Sequence, residues 1–263
     1  CETAIREIIA DNSVNIEINF TSKVTQTKKN PTDKTIIEGV KNIILVASGK
    51  GGVGKSTVAA GIALALSKSG AKVGIIDGDI YGPSIPALFG IENEKPDTLE
   101  FADKVRILPV EKYGIKIMSI GFFIDPDKAL AWRGPMASNA LKQLFEDSIW
   151  EDIDYLVVDT PPGTGDIHIT IGQTYNIAST VFVTTPQKIA TLDTIKCIEL
   201  FMKLNIGITG IVENMAYFTP KELPDNKYYI FGRGGAVSIS NMFDIPILGE
   251  IPIVESISDR CDK

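Results

Sequence analysis

The chain has 263 residues, of which 44% are hydrophobic and 22% are charged, a composition ordinary for a soluble globular protein with one substantial α/β core. Its 33 acidic and 26 basic residues give a net charge of −7, which argues against broad binding to nucleic acid or to anionic membranes. The apolar runs stay well short of the roughly 20 residues that span a bilayer, and the opening residues lack the apolar segment of a secretory signal, so we expect no membrane association.

The three cysteines, Cys1, Cys197 and Cys261, are far apart in the sequence. An odd number without close spacing fits a reducing compartment better than a disulfide scaffold, so we expect a cytoplasmic protein. Cys197 falls within a predicted helix, where a single cysteine is usually a small core residue. The chain starts at Cys rather than Met, and we interpret it as a fragment or a processed chain.

Residues 1–38 differ in pattern from the rest of the chain. The stretch "ETAIREIIA" has helical apolar spacing, "VNIEINF" alternates like a strand, and "TSKVTQTKKNPTDKT" is a polar linker with a proline. One helix and one strand cannot bury their own apolar faces, so we interpret this segment as the remnant of a small α+β domain followed by a linker. A docked N-terminal arm is the alternative. The main domain is predicted over residues 39–263.

From residue 42 onward, strand-like apolar runs alternate with helical patterns. Most of the runs are continuous Val, Ile and Leu, as expected when helices cover both faces of a sheet. This alternation predicts an α/β fold with a doubly wound, mainly parallel sheet that binds ligands at the carboxyl ends of its strands. The predicted strands are "NIILVA", "KVGIID", "KIMSIGF", "YLVVDT", "STVFVTT", "GITGIVEN" and "IPILGEI", and the predicted helices are "STVAAGIALALSKSG", "GPMASNALKQLFED" and "ATLDTIKCIELFMKLN".

The stretch "GKGGVGKST" fits the phosphate-loop pattern G-x-x-x-x-G-K-[ST] and lies between a predicted strand and a predicted helix. Its glycines let the backbone turn N–H groups towards phosphate oxygens, and the following helix adds the partial positive charge of its N-terminus. Lys55 would reach the β- and γ-phosphates, and the Ser56 hydroxyl would help to hold Mg²⁺. The predicted nucleotide-binding residues of this loop are Gly49, Gly51, Gly52, Val53, Gly54, Lys55, Ser56 and Thr57.

Acidic side chains follow two other predicted strands. Asp159 ends the strand in "YLVVDTPPGTGD", where a carboxylate would bind Mg²⁺, usually through water. Residues 160–166 form a loop that could move with the presence of a γ-phosphate. Asp77 and Asp79 end another strand in "GIIDGDIYGPS"; one could orient the attacking water and the other support the metal.

The base is predicted to be adenine. Guanine-specific phosphate-loop proteins generally read the base with N-K-x-D, and the only N-K pair here is followed by two tyrosines. Asn214 ends another predicted strand, and its side-chain amide could form a hydrogen bond with the edge of adenine. Pro252 lies in "EIPIVES", after the last predicted strand, and would cover the ring.

Together these motifs resemble a known family. "KGGVGKST" is similar to the deviant Walker A signature K-G-G-x-G-K-[ST] shared by the nitrogenase iron protein and the septum-site and partition ATPases. "DGDIYGPSIP", "WRGPM", "DTPPGTGDIHITI" and "VENMAYF" narrow the resemblance to the Mrp-type branch, the iron–sulfur cluster carrier ATPases. The resemblance covers nearly all of residues 40–260, and residues 1–38 resemble the end of the small domain often fused ahead of such ATPases.

The resemblance implies a homodimer formed around two ATP molecules. It implies that Lys50 reaches across the interface to the phosphates of the partner, that Asp79 lies near the attacking water, and that Asp159 ends Walker B. Lys50, Lys55 and Asp79 are therefore the candidate catalytic residues, and Ser56, Asp77 and Asp159 the candidate Mg²⁺ ligands. In these carriers a C-x-x-C pair after the "ENM" element holds a [4Fe–4S] cluster between two subunits.

The chain departs from the family pattern where those cysteines would stand. After "ENMAYF" comes "TPKELPDNKYY", with Thr219 and Glu222 near the expected positions. Thiolates are the usual ligands of such clusters, and neither Thr nor Glu replaces them, so no iron–sulfur ligand is identifiable. The only histidine, His168, is interpreted as a packed or solvated side chain. Trp132 and Arg133 match the family without a derived role, and "DNKYYIFGRGG" is either a partner-binding loop or plain packing.

Three functions follow from these motifs. The first is an Mg²⁺-dependent ATPase that dimerises on ATP and acts in iron–sulfur cluster assembly or delivery, with acceptor or scaffold proteins as partners. The second is a nucleotide-switched scaffold or regulator that carries no cluster. The third is a partition- or septum-type positioning ATPase, which would need a basic amphipathic helix or a basic surface stripe that the visible sequence lacks.

Overall fold

The computed structural model describes residues 24–26, 34–101, 104–124 and 134–257. The predicted N-terminal helix and strand, most of the linker, Cys1, Cys261, Trp132 and Arg133 lie outside the described residues. The end of the linker packs on the main domain, because the Thr35 amide donates to the carbonyl of Thr174 at 2.7 Å. Residues 34–38 therefore contact the α/β domain directly.

One eight-stranded sheet organises the domain, with the strand order β10-β9-β8-β1-β7-β2-β6-β5. Its neighbouring strands are parallel except β5, which runs antiparallel to β6, and β3 and β4 form a separate antiparallel pair. The strands are β1 (Val40–Ala47), β2 (Val73–Asp77), β3 (Thr98–Phe101), β4 (Lys104–Ile107), β5 (Val110–Lys112), β6 (Ile115–Ser119), β7 (Ile153–Asp159), β8 (Ser179–Thr184), β9 (Ile208–Glu213) and β10 (Ile247–Glu250).

Helices cover both faces of this sheet, and successive side chains of the central strand enter opposite cores. Leu45 of β1 belongs to the larger cluster, whereas Val46 belongs to the smaller one, and both are fully buried. This period of two explains why the central strands are apolar without interruption. The helices are α1 (Lys55–Lys68), α2 (Ile85–Leu88), α3 (Gly134–Glu146), α4 (Asp166–Thr174), α5 (Lys188–Lys203) and α6 (Gly235–Phe243), with a short 3₁₀ turn at Ile120–Phe122.

The predicted doubly wound, mainly parallel α/β fold is confirmed by this topology. Each predicted strand is found, with its ends within three residues of the predicted ones. The strands β3, β4 and β5, which are short and largely outside the buried core, were not predicted, and neither were the helices α2, α4 and α6. In the part of the chain that is described, no helix has both the length and the apolarity to cross a membrane.

Candidate nucleotide site

The phosphate loop joins β1 to α1 with a backbone that needs glycine at two points. Gly52 and Gly54 have φ angles of 82° and 79°, in the left-handed region that side chains disfavour. A Cβ atom on Gly54 would also lie 2.2 Å from Nδ2 of Asn214. That same amide nitrogen donates to the carbonyl of Val53 at 2.9 Å, so the loop is held against the end of β9.

Lys55 lies at the first position of α1 with its side chain 6% exposed. Its Nζ donates to Oδ1 of Asp159 at 2.5 Å and lies 4.0 Å from Oδ2 of Asp79. The three predicted residues therefore meet at one point, where the loop, β7 and the segment after β2 converge. A phosphate bound in the loop would compete with Asp159 for the donors of this ammonium group.

Asp77 and Asp159 are paired residues at the carboxyl ends of the adjacent strands β2 and β7, and both are fully buried. Oδ2 of Asp77 accepts hydrogen bonds from the amides of Ser84 and Ile85, at 2.9 and 3.0 Å, and from the hydroxyl of Ser119 at 3.1 Å. Among the described residues, Oδ1 of Asp77 and Oδ2 of Asp159 have no hydrogen-bond partner. Two buried acceptor oxygens thus remain available at this edge of the sheet.

Burial makes this carboxylate cluster unfavourable when it is charged. Desolvation, reinforced by the charge of Asp159, raises the pKa of Asp77 from 3.8 to about 7. Burial also raises the pKa of Asp159 and of Asp79, and the Lys55 ammonium opposes both rises. A cation at the unpartnered oxygens would offset the desolvation and the repulsion between these carboxylates. The electrostatics of the site therefore favour a bound metal ion together with the lysine.

The donor set fits Mg²⁺ held partly by substrate. Mg²⁺ is usually bound through one or two carboxylates, with phosphate oxygens and water completing its shell. Asp159 offers its unpartnered oxygen, and the hydroxyl of Ser56 lies 3.4 Å from Nζ of Lys55, within the same site. In the described part of the chain, no three His, Cys, Asp or Glu side chains form a cluster that would hold a metal without such help.

A cleft adjoins the phosphate pocket. The pocket, of about 190 Å³, is lined by the loop residues, including Lys50, and by Asp79 and Pro162. The cleft, of about 560 Å³, lies between residues 79–82 and 161–168 and shares Asp79 and Pro162 with the pocket. Lys50 is half-buried, and its carbonyl accepts from the Ser48 hydroxyl at 3.0 Å. The segments 79–82 and 161–168, which would contact a γ-phosphate, therefore both border the open cleft.

The residues predicted to bind the base lie close to each other through the backbone. The Ala216 amide donates to the carbonyl of Ile251 at 2.9 Å, and the Ile251 amide donates to Glu213 at 2.8 Å. These bonds place Pro252, which is half-buried, beside the segment that begins at Asn214. Since the Asn214 amide nitrogen is engaged with the phosphate loop, recognition of adenine by this side chain stays a prediction.

The segment expected to carry the cluster ligands has a different construction. Thr219 is half-buried and Glu222 is exposed. The segment is closed by aromatic and cationic side chains: Nζ of Lys227 lies 4.0 Å from the ring centroid of Tyr217, and Cζ of Arg233 lies 3.6 Å from that of Tyr229. Two cationic groups therefore stack on tyrosine rings in a segment that offers no thiolate.

Two buried side chains near the site were interpreted only as packing from the sequence. Nε2 of His168 lies 3.2 Å from the hydroxyl of Thr160, and Sγ of Cys197 donates to the carbonyl of Gly163 at 3.2 Å. Both are buried, as the packing interpretation required, but both contact the loop that follows Asp159. The sequence signal was weak, because the contacts join residues whose proximity depends on the packing of α4 and α5 against β7.

Comparison with known proteins gives consistent results over the main domain. The model of a ParA family described as NUBPL iron-transfer P-loop NTPase matches residues 39–263. An iron-sulfur cluster carrier protein of Aquifex aeolicus is 48% identical over 229 residues, which are 86% of this chain and 62% of that relative. One of Rickettsia felis is 46% identical over 248 residues, 94% of this chain and 73% of that relative. The chain thus spans less than two thirds of the Aquifex relative.

Solved structures agree with the fold. A nucleotide-binding protein of Archaeoglobus fulgidus, in complex with ADP, has 36% identity and a TM-score of 0.74, and the match covers 86% of this chain and 87% of that one. The septum site-determining protein MinD of Pyrococcus horikoshii, complexed with Mg-ADP, has 21% identity and a TM-score of 0.55, covering 84% and 85%. The second likeness concerns the fold alone.

Proposed function

This chain belongs to the NUBPL iron-transfer P-loop NTPase family, and we propose that it is a cytoplasmic, Mg²⁺-dependent ATPase that dimerises around ATP and acts in iron–sulfur cluster assembly or delivery. At the carboxyl ends of β1, β2 and β7, the ammonium group of Lys55 lies beside the carboxylates of Asp79 and Asp159, next to the glycine-rich loop. This observation carries the proposal. The ADP complex of the similar Archaeoglobus protein supports the proposed binding of ATP. The relatives of this chain that are named iron-sulfur cluster carrier proteins support the proposed role in cluster assembly or delivery.

The chemistry assigned to the site is positional and electrostatic. Phosphoryl transfer needs little covalent help, so catalysis depends on holding the phosphates and on stabilising charge that develops on their oxygens. Lys55 would leave Asp159 for the β- and γ-phosphates, while the loop amides and the N-terminus of α1 hold the same oxygens. Mg²⁺, when bound, supplies further charge neutralisation, and Ser56 and the freed Asp159 are the groups that would hold it. Asp79 would orient the attacking water, and Asp77 is the further candidate ligand.

Dimerisation is proposed from the second lysine of the loop. Lys50 and Lys55 both line the phosphate pocket, but Lys55 is the one buried and paired with Asp159. Lys55 is the lysine proposed to bind the phosphates of its own chain. A lysine that is redundant within one subunit can act on the nucleotide of a second subunit. The proposed active species is therefore a homodimer with two ATP molecules at its interface.

The central claim is tested by the rate of ATP hydrolysis of a Lys55→Ala variant. We expect turnover to fall by at least about 100-fold, because one preorganised charge on the transferring phosphate is lost. Lys68→Ala is the matched control, since Lys68 lies exposed in the last turn of the same helix and should leave turnover unchanged. Equal turnover of the Lys55→Ala variant and the wild type would refute the assignment.

A second function is favoured by one specific observation. Thr219 and Glu222 lie near the positions where the resemblance implies cysteines, and two cation–π contacts lie in the same segment. A nucleotide-switched scaffold or regulator that carries no cluster itself is consistent with both facts. This alternative shares the ATPase site with the first, so the iron content after anaerobic reconstitution separates the two.

A further inference from the structure

Thr160, at the start of the loop that follows Asp159, has a buried hydroxyl with three polar neighbours. It lies 3.0 Å from the carbonyl of Val46, 3.4 Å from that of Pro161 and 3.2 Å from Nε2 of His168. Because carbonyl oxygens only accept, the hydroxyl proton goes to Val46, and the hydroxyl oxygen accepts the Nε2 proton of His168. This assignment makes His168 a donor that joins α4 to β7, and through Thr160 to β1.

The histidine is not placed to exchange protons with substrate. Its side chain is 1% exposed, and its ring meets the ring of Phe201 edge-on with centroids 5.5 Å apart. Burial lowers the pKa of His168 to about 4, so the ring is neutral at physiological pH and carries one proton. The bonds of the Thr160 hydroxyl assign that proton to Nε2. A role in fastening, rather than in acid–base chemistry, fits these surroundings.

The same loop has a second attachment at its centre. The Gly163 amide donates to the carbonyl of Ser48 at 2.8 Å, and the Gly163 carbonyl accepts from Sγ of Cys197 at 3.2 Å. Ser48 in turn donates through its hydroxyl to the carbonyl of Lys50. The back of the loop is therefore bonded to the phosphate loop and to α5, in addition to the His168 contact.

The front of the loop faces the nucleotide side and is open. Pro162 lines both the phosphate pocket and the adjoining cleft. Pro162, Thr164 and Gly165 are all exposed. Asp159 immediately precedes the loop and Asp79 faces it across the cleft. A displacement of the loop would therefore move the residues that follow Asp159 relative to Lys55 and to Asp79 across the cleft.

We propose that His168 is a positioning residue for ATP hydrolysis, which fixes the loop after Asp159 through its hydrogen bond to Thr160. The proposal rests on the ATPase function proposed above. His168 acts through Thr160 and does not contact phosphate, so its loss should lower kcat while the phosphate loop still binds ATP with a similar KM. A residue needed only for packing would instead be replaceable by any side chain of similar volume.

The experiment compares variants that differ in one donor or one hydroxyl. His168→Leu keeps apolar volume without the donor, whereas His168→Gln keeps an amide N–H that can reach Thr160. Thr160→Val removes the hydroxyl and keeps the branched shape, whereas Thr160→Ser keeps it. Thr170→Val, on the same helix, is the control, because its hydroxyl bonds only the Asp166 carbonyl of its own turn. Each variant is assayed for kcat, for KM of ATP and for amide hydrogen exchange over residues 161–168.

We expect His168→Leu and Thr160→Val each to lower kcat by about tenfold or more, the effect of one buried hydrogen bond, with KM changed by less than about threefold. His168→Gln and Thr160→Ser should keep kcat within about threefold of wild type by restoring the bond. The His168→Leu/Thr160→Val double variant should be little worse than Thr160→Val alone, since that variant has already lost the bond to His168. Exchange over residues 161–168 should accelerate in the two impaired variants only.

Opposite results are equally clear. Equal impairment of His168→Leu and His168→Gln would mean that the ring acts by packing and would overturn the proposal, as would wild-type kcat and exchange in His168→Leu. If His168→Leu does not fold, the Thr160→Val and Thr160→Ser pair decides the question by the same readouts. If the wild type hydrolyses no ATP, the proposed function fails, whereas exchange still decides whether His168 fastens the loop.

Discussion

The phosphate site and the segment after β9 show two different relations to the family pattern. In residues 48–57 each predicted side chain is present, and Lys55 meets Asp79 and Asp159 in a buried arrangement. In residues 217–233 the expected thiols are absent, and Tyr217 and Tyr229 pack instead against the cationic ends of two side chains. The site that handles nucleotide is complete, and the site that would hold iron by the usual ligands is not.

The difference indicates that the residues of the phosphate site and the residues expected to bind a cluster belong to separate parts of this fold. The phosphate site depends on backbone geometry at the carboxyl ends of central strands, where each change disturbs the core. The segment after β9 lies at the surface, near the sheet edge formed by β9 and β10, and its residues are mostly exposed. Surface loops accept replacement more readily than strand ends. Under the proposed function, the phosphate site can therefore persist in a chain whose surface segment lacks the usual cluster ligands.

The largest expected effect is the iron content after anaerobic reconstitution. Wild-type protein should take up no stoichiometric [4Fe–4S] cluster, because thiolates are the usual ligands and the segment after β9 offers none. This outcome would favour the second of the two proposed functions, the nucleotide-switched scaffold or regulator, over a protein that carries the cluster itself. A Thr219→Cys/Glu222→Cys variant should gain visible absorbance and about four iron atoms per two chains. Iron and sulfide counting on both proteins checks the comparison.

Two results would contradict it. A stoichiometric cluster on the wild type would transfer the search for ligands to Cys1 and Cys261, which lie outside the described residues. Unchanged iron content of the double-cysteine variant would mean that residues 219 and 222 do not correspond to the ligand positions of the carriers. Cys197→Ala is the control in either case, since burial raises the pKa of this thiol to about 12 and keeps it protonated.

The main features of the fold and the centre of the site were predictable, because both are encoded locally. Continuous apolar runs between helical patterns are enough to predict the parallel sheet, and "GKGGVGKST" predicts the phosphate loop from one stretch of chain. The carboxyl ends of parallel strands lie at one edge, so Asp77 and Asp159 were expected near Lys55. The ion pair between Lys55 and Asp159 was not, because it is a contact between residues 104 positions apart.

The features missed from the sequence share a dependence on tertiary packing. The strands β4 and β5 have few buried residues, so their patterns lack the apolar signal that identifies a strand. His168 and Cys197 are isolated in the sequence, and only the docking of α4 and α5 places them against the loop after Asp159. The bonds of Asp77 to Ser84 and Ile85 likewise depend on how the chain turns after β2.

The second prediction concerns the extra lysine of the phosphate loop. Lys50→Ala should lower turnover by about 100-fold, because a charge supplied in trans to the transferring phosphate is lost. Nucleotide binding should largely survive, since Lys55 is unchanged, while ATP-dependent dimerisation should weaken. Sedimentation with and without ATP, together with turnover and fluorescent-nucleotide titration, measures all three quantities. If dimerisation and turnover both match the wild type, Lys50 does not act across an interface.

The third prediction uses the buried carboxylate of Asp77 in metal-free, nucleotide-free protein. Its folded pKa of about 7 exceeds its ordinary value of 3.8, so the folded state binds more protons between these values and loses stability as pH rises through that window. Asp77→Asn removes this loss and keeps an oxygen acceptor for Ser84, Ile85 and Ser119. The Tm difference between variant and wild type should therefore grow in favour of the variant from about pH 5 to about pH 8.

Asp154 provides a control of opposite sign. The hydrogen bond from Lys41, at 2.7 Å, lowers the pKa of Asp154, so its stabilising contribution is present at neutral pH and is lost in acid. Asp154→Asn should therefore destabilise the protein at neutral pH, with a penalty that shrinks as the pH falls. A pH-independent Tm difference for Asp77→Asn would show that the pKa of Asp77 is not raised by burial in the folded protein. That result would weaken the assignment of Asp77 to the cation site.

The smallest expected effect tests the closure of the segment after β9. Arg233 lies 3.6 Å above the ring of Tyr229, and an exposed cation–π contact contributes about 0.5–1 kcal/mol to the free energy of unfolding. Arg233→Gln and Tyr229→Leu should each destabilise the protein slightly, with a coupling energy of that size in the double-mutant cycle. Lys221→Ala, which breaks the exposed ion pair with Glu255, should have no measurable effect on the same denaturation curves. Additive Arg233 and Tyr229 effects would mean that the contact does not hold the segment, and the contrast with the tightly bonded phosphate site would then rest on the missing thiols alone.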